Sequence, residues 1–265
     1  MIDLAIAGAS GRMGQAITRL SGESPDTRIS VALEHLGSAA IGQDAGLIAG
    51  IDEIGVPVTE SVEQRLFDVM VDFTTPDATL EHAKICGQLG KPLMVGTTGL
   101  SPEQKLRLKD LSTKVPVILA ANTSVGVNLC VALLETASRV IGAVTDIEVI
   151  EAHHRHKVDA PSGTALLLGQ TVARVLGKSL PDDAVYCREG HTGARPEGSI
   201  GFSTIRGGDI AGEHTVMFIG ESERLEITHR ATDRKIFARG ALRAAEWLTT
   251  QSAGFYDMQD VLGLR

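Results

Sequence analysis

The chain has 265 residues, of which 43% are hydrophobic and 22% are charged, a composition that excludes a largely disordered protein. Its 25 Lys and Arg against 33 Asp and Glu give a formal charge of −8, which argues against a general binder of nucleic-acid backbones. Aromatic residues make up only 3%, which argues against a stacking platform for single-stranded nucleic acid.

Cysteine usage and the N-terminal segment predict a cytoplasmic protein. Cys86, Cys130 and Cys187 are widely spaced and odd in number, so we expect three reduced thiols. The first residues lack the basic region of a signal peptide. We also expect no apolar stretch that approaches the roughly 18–20 residues a helix needs to span a bilayer.

The first half of the chain alternates short apolar strands with amphipathic helical segments. The predicted strands are 4–7, 29–33, 69–73, 93–95 and 117–119. Helices are predicted around Met13, Ile17 and Leu20, after Pro76 with Leu80, Ala83 and Leu89 facing inward, and after Ser101 as N-cap with Pro102 at the first helical position. This alternation is typical of βαβ units, so the fold class is α/β with a parallel sheet.

The pattern changes after about residue 124. We predict a helix over 125–144, a half-exposed strand over 146–151, a helix capped by Ser162, a loop over 179–199, strands near 200–206, 214–219 and 224–229, and a last helix over 238–249. A second, α+β domain with an open mixed sheet follows from this pattern. The predicted domains are 1–124, completed by 234–265, and 125–233.

A glycine-rich loop, Gly8 to Gly14, follows the first strand and opens the first helix. Glycines allow close approach to a pyrophosphate, and the helix N-terminus attracts its charge. Glu34 lies 20 residues beyond Gly14, where a carboxylate binds the adenine ribose of NAD. These features predict a Rossmann dinucleotide-binding domain. The spacing is G-x-x-G-x-x-G rather than G-x-G-x-x-G, so a plain tight turn is the alternative.

The residues at the end of the second strand predict NADH rather than NADPH as the favoured cofactor. The carboxylate of Glu34 repels a 2′-phosphate, whereas a neighbouring Arg would attract it. The neighbour in this chain is His35, which is mostly neutral at pH 7 when its pKa is unperturbed.

Two further loops follow predicted strands, Gly96 to Gly99 and Ala120 to Ser124. Loops at the carboxyl ends of parallel strands line the ligand crevice, so both are candidates for cofactor contacts. Ordinary βα turns are the alternative for each.

The segment from Glu151 to Ala165 concentrates basic and titratable groups in an acidic protein. Five consecutive residues, His153 to Lys157, carry such side chains, and a capped helix start follows at Ser162 to Thr164. Histidine acts as a general acid near pH 7, and lysine donates a proton or holds a charge. Together with the helix N-terminus, they suit a small substrate that bears carboxylates.

Two other interpretations of this segment remain open. His153, His154, His156 and Asp159 are possible metal ligands, although no second His or Cys pair lies nearby at typical spacing. A solvated basic loop is the other interpretation. The chain lacks the G-x-S-x-G, P-loop and H-E-x-x-H signatures of other chemistries.

Over essentially its whole length the chain resembles bacterial dihydrodipicolinate reductase, also called 4-hydroxy-tetrahydrodipicolinate reductase. The glycine loop is shared by many families, whereas the histidine segment is specific to this one. The matching segments are Gly8 to Gly14, Asp72 to Thr74, Gly96 to Gly99, Glu151 to Ala165, Gly198 to Gly201, Gly212 to His214 and Phe255 to Met258.

The resemblance implies a homotetramer of two-domain subunits that acts in lysine and diaminopimelate synthesis. The Rossmann domain, completed by the C-terminal helix, would bind NADH or NADPH. The middle domain would bind substrate and build the tetramer through its sheet. The reaction would be hydride transfer to a cyclic, α,β-unsaturated imine dicarboxylate, which gives tetrahydrodipicolinate.

The resemblance also implies roles for individual residues. His153 and Lys157 match candidate proton donors, His154 matches a substrate-binding histidine, and Gly163 and Thr164 match the groups that hold a substrate carboxylate. The cofactor contacts it implies are Gly8, Ala9, Ser10, Gly11, Arg12, Met13, Glu34, Gly96, Thr97, Thr98, Ala120, Ala121, Asn122 and Thr123.

Two residues depart from the family pattern. His35 lies where many members have Arg, and Thr123 lies where a bulky apolar residue often follows Asn122. Two other functions share the scaffold. One is an aspartate- or diaminopimelate-dehydrogenase-like enzyme, which would not require His153 and Lys157. The other is a non-catalytic dinucleotide sensor, which would lack the basic cluster.

Overall fold

The computed structural model describes residues 1–62 and 66–265 of the chain. They divide into two compact units. The first contains Met1–Val125 and Lys235–Arg265, and the second contains Gly126–Arg234.

The elements are numbered in chain order. The strands are β1 (Ile2–Ala7), β2 (Thr27–Leu33), β3 (Val58–Thr59), β4 (Val69–Asp72), β5 (Leu93–Val95), β6 (Pro116–Leu119), β7 (Asp146–His153), β8 (Ala184–Val185), β9 (Ile200–Arg206), β10 (Gly212–Ile219), β11 (Arg224–Ala231) and β12 (Gly254–Tyr256). The helices are α1 (Arg12–Gly22), α2 (Ala45–Ala49), α3 (Pro76–Leu89), α4 (Pro102–Leu111), α5 (Val125–Ile141), α6 (Gly163–Val175), α7 (Leu180–Asp183), α8 (Lys235–Leu248) and α9 (Met258–Val261).

The first unit is built on a parallel sheet. Within the described residues its strand order is β12-β6-β5-β4-β1-β2-β3, and every neighbouring pair is parallel. Central strands read as continuous apolar runs because helices cover both faces of such a sheet. The four residues of β4 are all buried, for example. This is the Rossmann strand order, and it confirms the predicted α/β class.

The helices of the first unit begin where capping residues predict. Ser101 caps α4 with a complete capping box, and Pro102 occupies its first turn. Helix α8 belongs to this unit and buries Ala241, Ala244 and Leu248 in its core. The prediction for Leu89 was wrong: this side chain is 48% exposed, because α3 ends there at Gly90 and its last turn leaves the core.

The second unit contains a mixed sheet. In the described part of the chain its order is β11-β10-β7-β9-β8, with antiparallel pairs β11–β10 and β10–β7 and parallel pairs β7–β9 and β9–β8. The predicted mixed sheet is confirmed. The stretch 179–199, predicted to be a loop, also contains the short elements α7 and β8.

Helix α5 corrects one expectation from the sequence. The stretch Val125–Val144 is long and apolar enough to cross a membrane by length and composition alone. In the structure, Cys130, Val131 and Leu134 of this helix lie in the core of the second unit. A core helix of this kind meets the same length and composition criterion.

Candidate active site

The predicted cofactor segments of the first unit meet at one edge of its sheet. The glycine loop follows β1, Gly96 to Thr98 follow β5, and Ala120 to Thr123 follow β6. Because these strands are parallel, their carboxyl ends share an edge, which is where open α/β sheets bind ligands. Glu34 directly follows β2 at the same edge.

The glycine loop is tightly closed against the start of α1. A Cβ at Gly14 would collide with the carbonyl oxygen of Gly8, so only glycine fits there. Among the described residues, no side chain caps α1 at Gly11. This helix N-terminus is therefore suited to an external anion such as a pyrophosphate.

Glu34 ties the glycine loop to the end of β2. Its Oε1 accepts hydrogen bonds from the Ser10 amide at 2.9 Å and from the Ser10 hydroxyl at 2.7 Å. Burial raises the pKa of Glu34, but these bonds and those from His35 outweigh it, so the pKa lies below its ordinary value. Glu34 is thus ionised at neutral pH, as recognition of ribose hydroxyls requires.

A buried polar cluster at the ends of β4 and β5 was not predicted. The fully buried Asp72 carboxylate accepts a hydrogen bond from the Thr97 hydroxyl at 3.0 Å and from the Thr74 amide at 3.0 Å. His82 Nδ1 lies 2.7 Å from its other oxygen. Asp72 therefore joins the loop after β4 to the loop after β5. The sequence signal was a carboxylate that ends an apolar strand.

Thr123, one of the departures from the family pattern, is accommodated by helix α8. Its hydroxyl donates a 2.6 Å hydrogen bond to the carbonyl of Phe237, and its side chain is buried. A Cβ at Gly240 would collide with the Thr123 backbone. The smaller residue thus packs against a helix that approaches closely at this point.

In the second unit, the histidine segment begins at the end of β7. His153 is the last residue of that strand, and its Nδ1 lies 2.6 Å from Oε2 of the buried Glu151. Arg206, opposite His153 on β9, donates hydrogen bonds of 2.7 Å to both oxygens of Glu151. Burial raises the pKa of Glu151, but the hydrogen bonds with Arg206, His153 and the Ser162 amide outweigh it and lower the pKa to about 2.

The start of α6 is fixed to the same carboxylate. The Ser162 amide donates to Glu151 Oε1 at 3.0 Å, and the Ser162 hydroxyl caps the amide of Ala165. Gly163 and Thr164 therefore form the first turn of a helix whose N-terminus is anchored to the His153 cluster. The structure brings these predicted substrate-binding residues to the end of β7.

Buried histidines continue this cluster onto β10. His214 Nε2 lies 2.9 Å from the Ser162 hydroxyl, and its ring meets that of His153 edge to face at 5.1 Å. Burial and the neighbouring His153 lower the pKa of His214 to about 4. Burial also lowers the pKa of His153, although Glu151 opposes that effect. His214 is thus a neutral structural partner at pH 7.

The remaining predicted residues lie in the loop after β7. Lys157 Nζ contacts both carboxylate oxygens of Asp159 at 2.7 and 2.9 Å, an ion pair that the sequence did not reveal. The His154 amide bonds to the carbonyl of Ile210 at 2.8 Å, while His156 is exposed. Over residues 1–62 and 66–265, no three His, Cys, Asp or Glu side chains are grouped to hold a metal ion.

A Rossmann sheet with a glycine loop, in one chain with a mixed sheet that carries a cluster of titratable side chains, defines the class of dinucleotide-dependent oxidoreductases. Two family models together match almost the whole chain. They are dihydrodipicolinate reductase, N-terminus, over residues 2–123, and dihydrodipicolinate reductase, C-terminus, over residues 126–262. The chain belongs to the dihydrodipicolinate reductase family, which confirms the resemblance found in the sequence.

Curated relatives agree with this assignment over nearly their full length. The 4-hydroxy-tetrahydrodipicolinate reductase of Nitrosospira multiformis is 54% identical over 266 residues, which cover 100% of this chain and 98% of the relative. The enzyme of the same name from Acinetobacter baylyi is 54% identical over 98% of this chain and 96% of its own length.

Solved structures support the fold. The dipicolinate-bound dihydrodipicolinate reductase from Paenisporosarcina sp. TG-14 aligns with a TM-score of 0.76 at 24% identity, covering 98% of each chain. The amine dehydrogenase of Mycobacterium smegmatis aligns with a TM-score of 0.56 at 13% identity, covering 96% of this chain and 94% of its own. At these identities the likeness extends to the fold alone.

Proposed function

We propose that this chain reduces 4-hydroxy-tetrahydrodipicolinate, by way of dihydrodipicolinate, to tetrahydrodipicolinate with NAD(P)H in the synthesis of diaminopimelate and lysine. Identity of 54% over 98% of the length of a 4-hydroxy-tetrahydrodipicolinate reductase carries this proposal. The alternative functions are not favoured. A sensor has no need of the His153–Lys157 cluster, and a dehydrogenase of the aspartate type does not require it.

The first unit would hold the cofactor, and its residues fit that role. The closed turn at Gly14 and the start of α1 suit a pyrophosphate, and the ionised Glu34 suits the adenine ribose. The remaining contacts would come from the loops Gly96 to Thr98 and Ala120 to Thr123. When bound, NAD(P)H supplies a hydride to the substrate ring. NADH is the favoured form, because Glu34 repels a 2′-phosphate and His35 lies where an arginine would attract one.

The second unit would hold the substrate. A dicarboxylate suits His154, the ammonium of Lys157 and the first turn of α6 at Gly163 and Thr164. Lys157 now contacts Asp159, so a substrate carboxylate would take the place of that partner. Dipicolinate, the ligand named for the Paenisporosarcina enzyme, is a planar dicarboxylate of the same class.

His153 would supply the proton that completes the reduction. The reduced ring carries an electron-rich carbon, and protonation of that carbon yields the product. His153 is the histidine of the cluster that is hydrogen-bonded to a carboxylate, which favours its protonated form. Lys157 would hold a substrate carboxylate.

We also infer a cytoplasmic homotetramer. The second unit would bind substrate and form the assembly through its mixed sheet, and the first unit would bind the cofactor. The exposed Leu225 on β11, at one edge of that sheet, is consistent with a covered surface in an oligomer. Three free cysteines are consistent with a reducing compartment.

An assay with variants of His153 and Lys157 tests the division of roles. Dihydrodipicolinate synthase would generate substrate from pyruvate and aspartate semialdehyde while NADH loss is followed. His153→Gln should lower kcat by about 10²–10⁴, the typical contribution of one positioned proton donor. Lys157→Ala should act mainly on KM, since a binder contributes to ground-state affinity.

The control for this assay is His191→Gln, which alters an exposed histidine in the loop between β8 and β9. It should retain the wild-type rate. A His153→Gln protein with an unchanged kcat would overturn the proton-donor role. A Lys157→Ala protein with an unchanged KM would overturn the binding role.

A further inference from the structure

Glu151 joins three parts of the candidate substrate site. It bonds to the His153 ring, to the backbone at the start of α6 and to Arg206, and its side chain is 1% exposed. Thr204 adds a longer bond of 3.3 Å to Oε1. A buried carboxylate with this many donors holds one geometry, because each lost bond would leave a buried polar group unsatisfied.

The Glu151 contact determines which nitrogen of His153 carries a proton. An ionised carboxylate only accepts hydrogen bonds, so the 2.6 Å contact requires a hydrogen on Nδ1. Neutral His153 then has its lone pair on Nε2, and the protonated ring has its second N–H there. Nε2 is therefore the atom that can take up and deliver a proton.

Gly212, the first residue of β10, lies beside Nε2 and carries no side chain. A Cβ at Gly212 would lie 3.1 Å from Nε2, closer than ordinary contacts allow, so the glycine leaves space beside this nitrogen. The bidentate pair with Arg206 fixes the plane of the Glu151 carboxylate and hence the orientation of the His153 ring.

We propose that Glu151, held by Arg206, is a positioning residue of the reductase, which fixes the Nδ1–H tautomer of His153 and favours protonation at Nε2. This inference rests on the proposed function, because it assigns a role within the same reaction. It gives the proposed proton donor a carboxylate partner. A hydrogen-bonded carboxylate commonly fixes the tautomer and the ring orientation of a functional histidine.

Several charged or titratable groups face His153 and contribute to its pKa. Glu151 on the same strand raises it, whereas Arg206 on β9 and Lys157 in the following loop lower it. His214 on β10 lies against the ring and has a pKa of about 4, so it is neutral near pH 7. Glu151 is thus the one of these four groups whose charge favours the protonated ring.

The test is the pH profile of kcat/KM for Glu151→Gln. Removal of the negative charge should displace the alkaline limb to lower pH by about 1, the lower end of the effect of a nearby opposite charge. The rate near pH 7.5 should fall by up to about tenfold as a result. Glu151→Asp, which restores the carboxylate, should recover part of the displacement.

The matched control is Glu148→Gln on the same strand. Glu148 also pairs with two arginines, Arg188 and Arg195. Within the part of the chain that the structure describes, it makes no hydrogen bond to His153. This variant should keep the wild-type profile. An unchanged profile in Glu151→Gln, or equal displacements in the two variants, would overturn the positioning role.

A measurement on the unaltered protein covers the case in which Glu151→Gln does not fold. Long-range ¹H–¹⁵N spectra of the wild-type protein, with His153 assigned through His153→Gln, report the tautomer directly. The expected result is hydrogen on Nδ1 of the neutral ring. Hydrogen on Nε2 would contradict the inference even if the protein were an active reductase, whereas absence of turnover with an Nδ1–H ring would contradict only the proposed function.

Discussion

At the scale of single residues, the second unit buries several titratable side chains. His214 is 5% exposed, and its Nδ1 has no hydrogen-bond partner among the residues that the structure describes. A buried imidazole without a carboxylate beside it loses more hydration on protonation than it regains, so its pKa falls to about 4. The folded protein therefore stabilises the neutral form of His214 over the protonated form.

This pKa predicts how stability depends on pH. The unfolded chain protonates His214 near pH 6.5, whereas the folded chain resists protonation until about pH 4. Stability should therefore decline as the pH falls through this window, by up to roughly 3 kcal/mol from His214 alone. Urea denaturation at pH 7, 6, 5 and 4.5 measures the decline.

The variant His214→Gln keeps polar contact with Ser162 and removes the titration. Its free energy of unfolding should depend less steeply on pH between 6.5 and 4.5. An equal slope in the variant and the wild type would contradict the assignment of this effect to His214. His153 and His229, whose pKa values are also lowered by burial, contribute to the remaining slope.

At the scale of elements, the proposed cofactor site depends on the close approach of the start of α1 to the glycine loop. Gly14→Ala places a methyl group against the Gly8 carbonyl, so the loop must move. The affinity for NADH should then fall about tenfold or more, a cost of about 1.4 kcal/mol. Titration of NADH fluorescence measures this affinity.

Gly22→Ala is the matched control for Gly14→Ala. Gly22 is the last residue of the same helix, and a Cβ there would meet only the Ile51 side chain at 3.6 Å, an ordinary contact. This variant should bind NADH as the wild type does. If Gly14→Ala bound NADH with wild-type affinity, the loop would not be the pyrophosphate site.

The elements that the sequence predicted are those with a periodic or capped pattern. The strands of apolar runs and the helices after Ser101 and Ser162 are present because burial and capping act locally. The elements that it missed, such as β3, β12 and α9, have two to four residues. Segments this short show no periodicity, and their pairing partners rather than their own composition determine their structure.

The sequence predicted which segments form the candidate site, but it did not predict the contacts between their side chains. The histidine cluster and the capped helix start lie next to each other in the chain, so the composition, the capping pattern and the family resemblance of one segment identified them. Glu151 and Arg206 are 55 residues apart and meet only through the register of β7 with β9. The same holds for Asp72 and Thr97, whose loops meet through neighbouring strands. Strand register depends on the whole sheet and is not readable from one segment.

At the scale of the whole molecule, the proposed function assigns different parts of one reaction to the two units. The first carries a glycine loop with an ionised Glu34, and the second carries His153, the proposed proton donor, with its buried carboxylate partner. Fold alone would not determine the substrate, since this scaffold hosts many functions. Both units, over residues 2–123 and 126–262, match models of the same reductase family, and this shared family indicates the substrate class.

The most direct test follows the reduced ring itself. The wild-type protein would be supplied with dihydrodipicolinate synthase, pyruvate, aspartate semialdehyde and either NADH or NADPH deuterated at the transferable C4 position. The account predicts synthase-dependent oxidation, faster with NADH, and tetrahydrodipicolinate that carries one deuterium by mass spectrometry. Folded protein that binds NADH but yields no labelled product with either cofactor would contradict the assignment as a reductase of this substrate.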